Sequence, residues 1–141
     1  MNQDFTFSII KPNAVKNKNI GPILAMINEA GFRISALKMV RMTKAQSQSF
    51  YEVHKDRPFY NDLCDFMTSG PIVVLILKQE NAVAEFRKLI GSTDPEKAEG
   101  GTIRKLFAAS LQMNAVHGSD SQENAKIEAS FFFSGFERFY T

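Results

Sequence analysis

The apolar run from Ile72 to Leu77 constrains the possible fold more than any other part of the sequence. Its six residues are all Ile, Val or Leu, and the turn signal Ser69-Gly70-Pro71 precedes them. An uninterrupted apolar run of this length indicates a strand that is covered on both sides or lies at an interface. We therefore predict a central strand here.

The flanking periodicities predict three further strands and several helices. Phe5 to Ile10 is a strand that ends at Lys11-Pro12, because proline cannot donate to a ladder. The other predicted elements, in order, are a helix over 20–30, a strand over 33–42, a helix from the Thr43–Gln46 capping box to about His54, a short helix from Pro58, a helix over 81–90, a polar loop over 92–101, a short helix over 102–107, a short strand reaching His117 and a last helix to about Ser130.

This order contains strand, helix, strand, strand, helix, strand, which is the ferredoxin-like split motif. It predicts an α+β fold with a mostly antiparallel four-stranded sheet and helices on one face. We expect one domain over residues 1–141. Phe131 to Phe133 are expected to pack the last helix end or meet a partner, and residues 135–141 to form an arm over the surface or into a neighbouring subunit.

Composition excludes several classes of protein. The 44% hydrophobic content argues against disorder, and the net charge of +2 is too small for a dedicated nucleic-acid binder. The single Cys64 argues for a reducing compartment, and with only two histidines a zinc site is not expected. We see no membrane-spanning run and no secretion signal, so we expect a cytoplasmic protein.

The stretch from Asn114 to Ser121 places a histidine among small polar residues. We predict a strand, a turn at Gly118 and a helix start, with Ser119 or Asp120 as the cap and Glu123 completing a capping box with Asp120. His117 would then stand at the turn, where imidazole can act as nucleophile or base. Glu128 faces back along the last helix and could fix the imidazole tautomer. A lone histidine beside a turn can equally be structural.

Polar residues at the ends of other elements form a set that suits a polyphosphate. The set comprises three cations, a hydroxyl, an amide and an imidazole: Lys11, Arg87, Arg104, Thr93, Asn114 and His117. Guanidinium groups bind phosphate oxygens in pairs of hydrogen bonds, and a neutral imidazole can accept a phosphoryl group. Lys11 alone could instead be a solvated residue that only ends a strand. A P-loop is excluded because its glycine-lysine motif does not occur.

Several segments together resemble the nucleoside diphosphate kinase family over nearly the whole chain. They are residues 8–15 (SIIKPNAV), 50–54, 57–60 (RPFY), 66–71 (FMTSGP), 101–104 (GTIR) and 114–121 (NAVHGSDS). The resemblance implies a ping-pong enzyme in which a nucleoside triphosphate phosphorylates His117 on Nδ1 and a nucleoside diphosphate then takes the phosphate.

The resemblance also implies roles for the other site residues. Glu128 would hold the second ring nitrogen, Ser119 would support Glu128, and Tyr51 would lie beside the histidine. Lys11 and Asn114 would reach the phosphates and sugar, and Phe59 would stack on the base, a contact that every base can make. The phosphate clamp would comprise Arg87, Thr93 and Arg104. Mg²⁺ would arrive on the nucleotide, and Asp120 would contact it through water.

Two departures from the pattern of this family bear on the assembly more than on the chemistry. Met113 stands where many relatives carry a polar or charged residue, and Gly100 stands where many have proline. The resemblance implies a homo-oligomer of four or six chains.

The alternatives to a kinase are a non-catalytic nucleotide- or RNA-binding module with this topology, or a scaffold without turnover. An RNA-binding sheet would expose aromatic residues, whereas these strands read as buried.

Overall fold

The computed structural model describes residues 4–139 and contains one four-stranded antiparallel sheet. The strands are β1 (Phe5–Ile10), β2 (Arg33–Val40), β3 (Ile72–Lys78) and β4 (Val116–Gly118), in the spatial order β2-β3-β1-β4. Every residue of β3 is buried between β2 and β1, which confirms the central strand predicted from its apolar run. The predicted ferredoxin-like α+β fold is thereby confirmed.

Helices cover both faces of this sheet, so the prediction of helices on one face is wrong. The helices are α1 (Pro12–Lys16), α2 (Ile20–Glu29), α3 (Lys44–Phe50), α4 (Tyr60–Met67), α5 (Ala82–Ile90), α6 (Ile103–Phe107) and α7 (Gln122–Phe132). On the first face, α2 and α5 pack on side chains such as Leu75 and Leu77. On the second face, α4 and α7 pack on Phe7, Ile9 and Ile76. The apolar run needs this double cover because successive side chains point to opposite faces.

Several element boundaries differ from the predicted ones. The short α1 was not predicted, since five residues are too few to show a helical period; it begins at Pro12, a favoured first helical residue. Helix α3 ends at Phe50, and a 3-10 turn over Glu52–His54 follows, so Tyr51 is the C-cap. Helix α4 begins at Tyr60, because Pro58 lies in the preceding turn. Strand β2 ends at Val40 instead of residue 42.

The cap of α7 also differs from the prediction. Ser121 is the N-cap, and its hydroxyl accepts from the backbone N–H of Asn124 at 3.0 Å. The Asp120 carboxylate instead accepts from the Asn124 side-chain amide at 2.6 Å. The predicted capping box of Asp120 and Glu123 is therefore wrong. Ser119, the other predicted cap, is buried and used elsewhere.

Gly118 is required by packing and not by a turn, which corrects the prediction for this position. It lies in β4 opposite Ser8, and its φ is not positive. A Cβ atom there would lie 2.9 Å from Cδ2 of Phe86 and 3.1 Å from Cδ1 of Ile90, both on α5. The glycine lets α5 pack directly on the strand that carries His117.

Gly118→Ala should therefore destabilise the fold. Because the added methyl overpacks the contact with α5, the free energy of unfolding should fall by about 1–3 kcal/mol, as measured by urea denaturation. Gly100→Ala is the matched control, since no atom lies within 4 Å of its Cβ position. Equal stability of the two variants would contradict this account of Gly118.

The C-terminal segment lies along β2, an edge strand of the sheet. The backbone N–H of Phe139 donates to the Ser35 carbonyl at 2.8 Å, and the Ser35 hydroxyl donates to the Phe139 carbonyl. The Lys38 ammonium pairs with Glu137 at 2.8 Å. The predicted surface arm is confirmed for residues 135–139. Residues 140 and 141 lie outside the described range, and insertion into a neighbouring subunit stays a prediction.

Candidate active site

His117 lies at the centre of β4, and its imidazole is held on one side by a carboxylate. It pairs with Ile9 in the sheet, so its side chain is on the second face, beneath α7. Nε2 lies 3.0 Å from Oε1 of Glu128, and the Ser119 hydroxyl donates to the same oxygen at 2.7 Å. A carboxylate accepts only, so in the neutral tautomer that makes this hydrogen bond the ring donates through Nε2–H and Nδ1 carries no proton. Nδ1 is thus the nitrogen with a lone pair to give.

Ser119 connects this pair to the first strand. Its hydroxyl accepts from the Phe7 backbone N–H at 3.1 Å, and its own N–H donates to the Phe7 carbonyl at 3.1 Å. The side chain is fully buried. Ser119 therefore fixes Glu128 relative to β1 as well as relative to β4.

A strained turn immediately precedes the histidine strand. Ala115 has φ of 75° and is fully buried, and the Val116 N–H donates to the Asn114 carbonyl at 2.9 Å. These values describe a three-residue turn of the rare form, which costs about 1–3 kcal/mol for a non-glycine residue. The Ala115 carbonyl accepts from the Lys11 N–H at 2.8 Å, so the turn joins the start of β4 to the end of β1.

Lys11 is buried at the end of β1, so the alternative of a solvated lysine is wrong. Its ammonium donates to Oδ1 of Asn114 at 2.8 Å. Burial, helped by the Arg104 charge, lowers the pKa of Lys11 from 10.5 to about 7. Within residues 4–139 no carboxylate is paired with this ammonium. A cation without an anionic partner indicates a place for an anionic ligand.

Arg104 and Arg87 extend this positive region. The Arg104 guanidinium donates to the carbonyls of Gly91 and Val116, both at 3.0 Å, and so connects α5, α6 and β4. Burial and the nearby Arg87 charge lower the pKa of Arg104 to about 10. Arg87 is exposed in the last turn of α5. The electrostatic coupling therefore runs from Lys11 to Arg104 to Arg87.

The lowered pKa of the buried Lys11 should make the free energy of unfolding depend on pH. The pKa is lower in the folded than in the unfolded chain, so the unfolded chain binds more protons between pH 7 and 10. Stability should therefore rise with pH, by roughly 2 kcal/mol between pH 7 and 9 from this group. Urea denaturation of Lys11→Met should lack this rise, whereas Lys16→Met at an exposed site should keep it. An unchanged rise in Lys11→Met would contradict the burial argument.

Tyr51 is a buried phenol close enough to Glu128 to feel its charge. Burial together with the charge of Glu128 raises the pKa of its phenol above the ordinary value. Its hydroxyl therefore stays protonated across the physiological range. The structure brings Tyr51 and Glu128 into electrostatic contact, and the placement of Tyr51 beside His117 stays a prediction.

The remaining predicted residues are Phe59, Thr93 and Asp120, and all three are exposed. Phe59 is the N-cap of α4 and is 47% exposed, so it is free to stack on a planar ligand. Thr93 is exposed in the loop between α5 and α6, and no hydrogen bond within the described part of the chain joins it to the other site residues. Asp120 is exposed beside the start of α7. The structure thus joins His117 to its carboxylate and brings the cations together, but it does not itself connect Thr93 to them.

Three aromatic contacts of the site were missed in the sequence. The ring centroids of Phe7 and Phe50 lie 6.1 and 6.3 Å from that of His117, and the centroid of His54 lies 5.6 Å from that of Phe59. His54 was interpreted as a surface residue, and its contact with Phe59 places it beside a predicted ligand-binding ring. The helical period indicated which faces are apolar and which are polar. It did not indicate which aromatic rings would contact one another.

Three features of the described residues bear on metal binding, membrane insertion and nucleic-acid binding. Within residues 4–139 no group of three His, Cys, Asp or Glu side chains could hold a metal ion. No helix in this range is long and apolar enough to cross a membrane. Phe7 is fully buried in the sheet, so this strand cannot stack on nucleic-acid bases as an RNA-binding sheet would.

Comparison with known proteins gives one consistent family. The family model for nucleoside diphosphate kinase matches residues 4–138. A nucleoside diphosphate kinase of Lawsonia intracellularis is 57% identical over 133 residues, covering 94% of this chain and 96% of that protein. The solved nucleoside diphosphate kinase of Aquifex aeolicus is 42% identical with a TM-score of 0.94, covering 96% of this chain and 98% of that one.

A second solved structure extends the comparison. A halophilic nucleoside diphosphate kinase from Halobacterium salinarum, solved in complex with CDP, is 31% identical with a TM-score of 0.92; 96% of this chain and 91% of that one are covered. Sequence and fold agree that the molecule is an enzyme of the kinase class. The chain belongs to the nucleoside diphosphate kinase family. The family resemblance seen in the sequence motifs is confirmed.

Proposed function

We propose that this enzyme transfers the γ-phosphate of a nucleoside triphosphate, typically ATP, to a nucleoside diphosphate through a phosphohistidine at His117. The activity is that of the family to which the chain belongs. The observation that supports the residue assignment is the Nε2 contact with Glu128 at 3.0 Å, which leaves Nδ1 of the ring as the nucleophile. Stacking on Phe59, a contact that every base can make, would give low base specificity.

In the first half-reaction, the Nδ1 lone pair of His117 forms a bond to the γ-phosphorus. The bond from that phosphorus to the β–γ bridging oxygen breaks, and its electron pair leaves with the nucleoside diphosphate. The imidazole becomes positively charged as it forms the bond, and the Glu128 carboxylate stabilises this charge through Nε2–H. In the second half-reaction, a terminal oxygen of another nucleoside diphosphate attacks the phosphohistidine and reverses these steps.

Three cations would hold the phosphates in line for this transfer. Lys11, Arg87 and Arg104 supply the positive charge that phosphoryl transfer requires. Binding of an anion beside Lys11 would favour its charged form and so offset the burial that lowers its pKa. The Asn114 amide, which accepts from the Lys11 ammonium, would orient that group toward the phosphates and the sugar hydroxyl.

The remaining contacts complete the nucleotide site. Phe59 would stack on the base, since its ring is exposed at the start of α4. The Thr93 hydroxyl would reach the phosphates from its loop, and the protonated Tyr51 would keep the surroundings of His117 dry and neutral.

Mg²⁺ fits this site as a part of the nucleotide complex. A divalent metal is expected for a nucleotide kinase, and the described residues form no metal-binding cluster of their own. When bound to the phosphate oxygens, Mg²⁺ would neutralise part of their charge. Asp120 would contact it through water, because one of its oxygens already accepts from Asn124.

We further propose a cytoplasmic homo-oligomer of four or six copies, each a single domain. Exposed apolar side chains support subunit contacts: Leu37 and Met39 lie on β2, while Leu106 and Leu111 follow the polar loop. Light scattering in solution distinguishes a tetramer from a hexamer by mass. The charge of +2 and the burial of Phe7 in the sheet give no support to dedicated nucleic-acid binding.

The direct test of the proposed function is isolation of the phosphoenzyme. Wild-type protein is incubated with γ-labelled ATP and Mg²⁺, separated from free nucleotide and then mixed with unlabelled GDP. The protein should first carry an acid-labile, alkali-stable label, which GDP should then remove as labelled GTP. Failure to form labelled protein, or failure of GDP to remove the label, would overturn the two-step mechanism.

A further inference from the structure

Phe50 is the centre of an aromatic cluster beside the histidine. It is the last residue of α3 and is half-buried. Its ring centroid lies 4.9–6.3 Å from those of five neighbours: Phe7, Tyr51, His117, Phe131 and Phe132. Such distances and the tilted or edge-on angles are those at which aromatic rings attract one another. No role in the reaction has so far been given to this ring.

The hydrogen bond to Glu128 does not by itself fix the orientation of the imidazole. A single contact at Nε2 allows the ring to turn about the line that joins Cβ to Nε2, and this turn moves Nδ1. The terminal torsion of histidine is broad and has two opposed minima, so the side chain provides little resistance of its own. Packing against the ring must supply the remaining restraint.

Two phenyl rings provide that packing from different parts of the chain. Phe7, in β1, lies 6.1 Å from the imidazole at an interplanar angle of 57°. Phe50, at the end of α3, lies 6.3 Å away at 79°. Neither ring is parallel to the imidazole, so rotation of the imidazole would drive its edge against them. Phe7 is fully buried in the core, whereas Phe50 can be replaced with less disturbance.

The helix that carries Glu128 also holds Phe50 in place. Phe131 and Phe132 end α7, one turn after Glu128, and their centroids each lie 5.2 Å from that of Phe50. Phe132 also stacks on Phe7 at 5.4 Å with an interplanar angle of 8°. The end of α7 therefore connects the polar restraint on Nε2 to the apolar restraint on the ring.

We infer that Phe50 is a positioning residue that holds the imidazole of His117 with Nδ1 directed toward the nucleotide. The inference rests on the proposed function, in which Nδ1 accepts the phosphate. A small misplacement of a reacting atom costs about 100-fold in rate. Loss of the Phe50 ring should therefore slow the chemical step and leave nucleotide binding unchanged, because Phe50 belongs to neither the cations nor the base-stacking ring.

The test compares Phe50→Leu with wild type in single-turnover phosphorylation by ATP. The rate of phosphoenzyme formation should fall about 10- to 100-fold, while the ATP concentration that gives half-maximal rate changes less than about two-fold. Phe50→Tyr, which keeps the ring, should restore most of the rate. Phe50→Met fills similar volume without a ring and should remain slow, which also covers the case in which Phe50→Leu does not fold.

Phe32→Leu is the matched control. It removes a buried ring on the first face of the sheet, where Phe32 packs edge-on against Phe86, and within the described residues Phe32 makes no ring contact with Phe50 or the imidazole. Its phosphorylation rate should stay within about three-fold of wild type, even where its loss of stability equals that of Phe50→Leu. Equal slowing in both variants, in proportion to lost stability, would overturn the inference.

The site of phosphorylation gives a readout that stability alone does not affect. Phosphorus and nitrogen NMR distinguish Nδ1- from Nε2-phosphohistidine, and wild type should show one isomer. Phe50→Leu should show a second isomer, because the freed ring can offer either nitrogen. A single isomer in Phe50→Leu, formed at the wild-type rate, would overturn the role of Phe50. If the wild-type protein took up no phosphate at all, the proposed function itself would be overturned.

Discussion

His117→Ala is expected to reduce the rate of phosphate transfer by about 10⁴-fold or more, because removal of a covalent nucleophile removes the reaction path. The variant should still bind ADP, since the three cations and Phe59 are unchanged. Transfer from ATP to GDP and incorporation of label from γ-labelled ATP both measure the loss. The fold should persist, because the side chain is on one edge strand and the backbone pairing with β1 does not need it.

His54→Gln is the control for this experiment, since His54 is the other histidine of the chain. It should form the phosphoenzyme at close to the wild-type level, with any loss confined to nucleotide affinity through Phe59. Normal incorporation of label into His117→Ala would show that another group is phosphorylated. If only His54→Gln lost the label, His54 and not His117 would be the phosphorylated residue.

The second large effect is expected at Glu128, and it should depend on which atom replaces the carboxylate. Oε1 alone accepts from both His117 and Ser119. The carbonyl oxygen of glutamine can occupy the same place, so Glu128→Gln keeps both hydrogen bonds and loses only the charge. We expect its kcat to fall about 10-fold, since charge-assisted hydrogen bonds are roughly twice as strong as neutral ones.

Glu128→Ala should cost far more, about 10²- to 10⁴-fold in kcat, because the imidazole can then adopt either tautomer, as in protease variants with a disturbed histidine partner. The Ser119 hydroxyl can donate to the Phe7 carbonyl at 3.3 Å, so the loss of stability should be small. Steady-state kinetics with urea denaturation separates the two effects. Equal kcat values for the glutamine and alanine variants would show that the shared hydrogen bonds do not matter.

The sheet could be predicted from the sequence because each strand carries its own signal. The apolar run of β3 indicated a strand with cover on both sides, and the alternation in β2 and the end of β1 at Pro12 gave its neighbours. The distribution of helices between the two faces could not be predicted, since it depends on which side of the sheet each connection crosses. That choice is made by packing between distant elements and leaves no local pattern.

The site was predictable in its residue types and less so in its local geometry. His117 and Glu128 are eleven residues apart, so a strand–turn–helix pattern was enough to bring them together. The cap at Ser121 and the role of Gly118 were predicted wrongly, because several adjacent small polar residues can each cap a helix. Only the side chains of Phe86 and Ile90, on a helix much earlier in the chain, show why glycine is needed. The resemblance to a family supplied roles for Phe59 and Thr93 that no local pattern indicates.

The pairing of β4 with β1 has a consequence for biosynthesis. The histidine strand is the last strand made, and it completes the sheet by pairing with the first one. A ribosome-bound chain therefore cannot form the phosphoenzyme until Glu128 has emerged and β4 has paired with β1. The time at which the nascent chain acquires labelled phosphate would therefore report when β4 pairs with β1. Heat inactivation should coincide with release of β4 from β1.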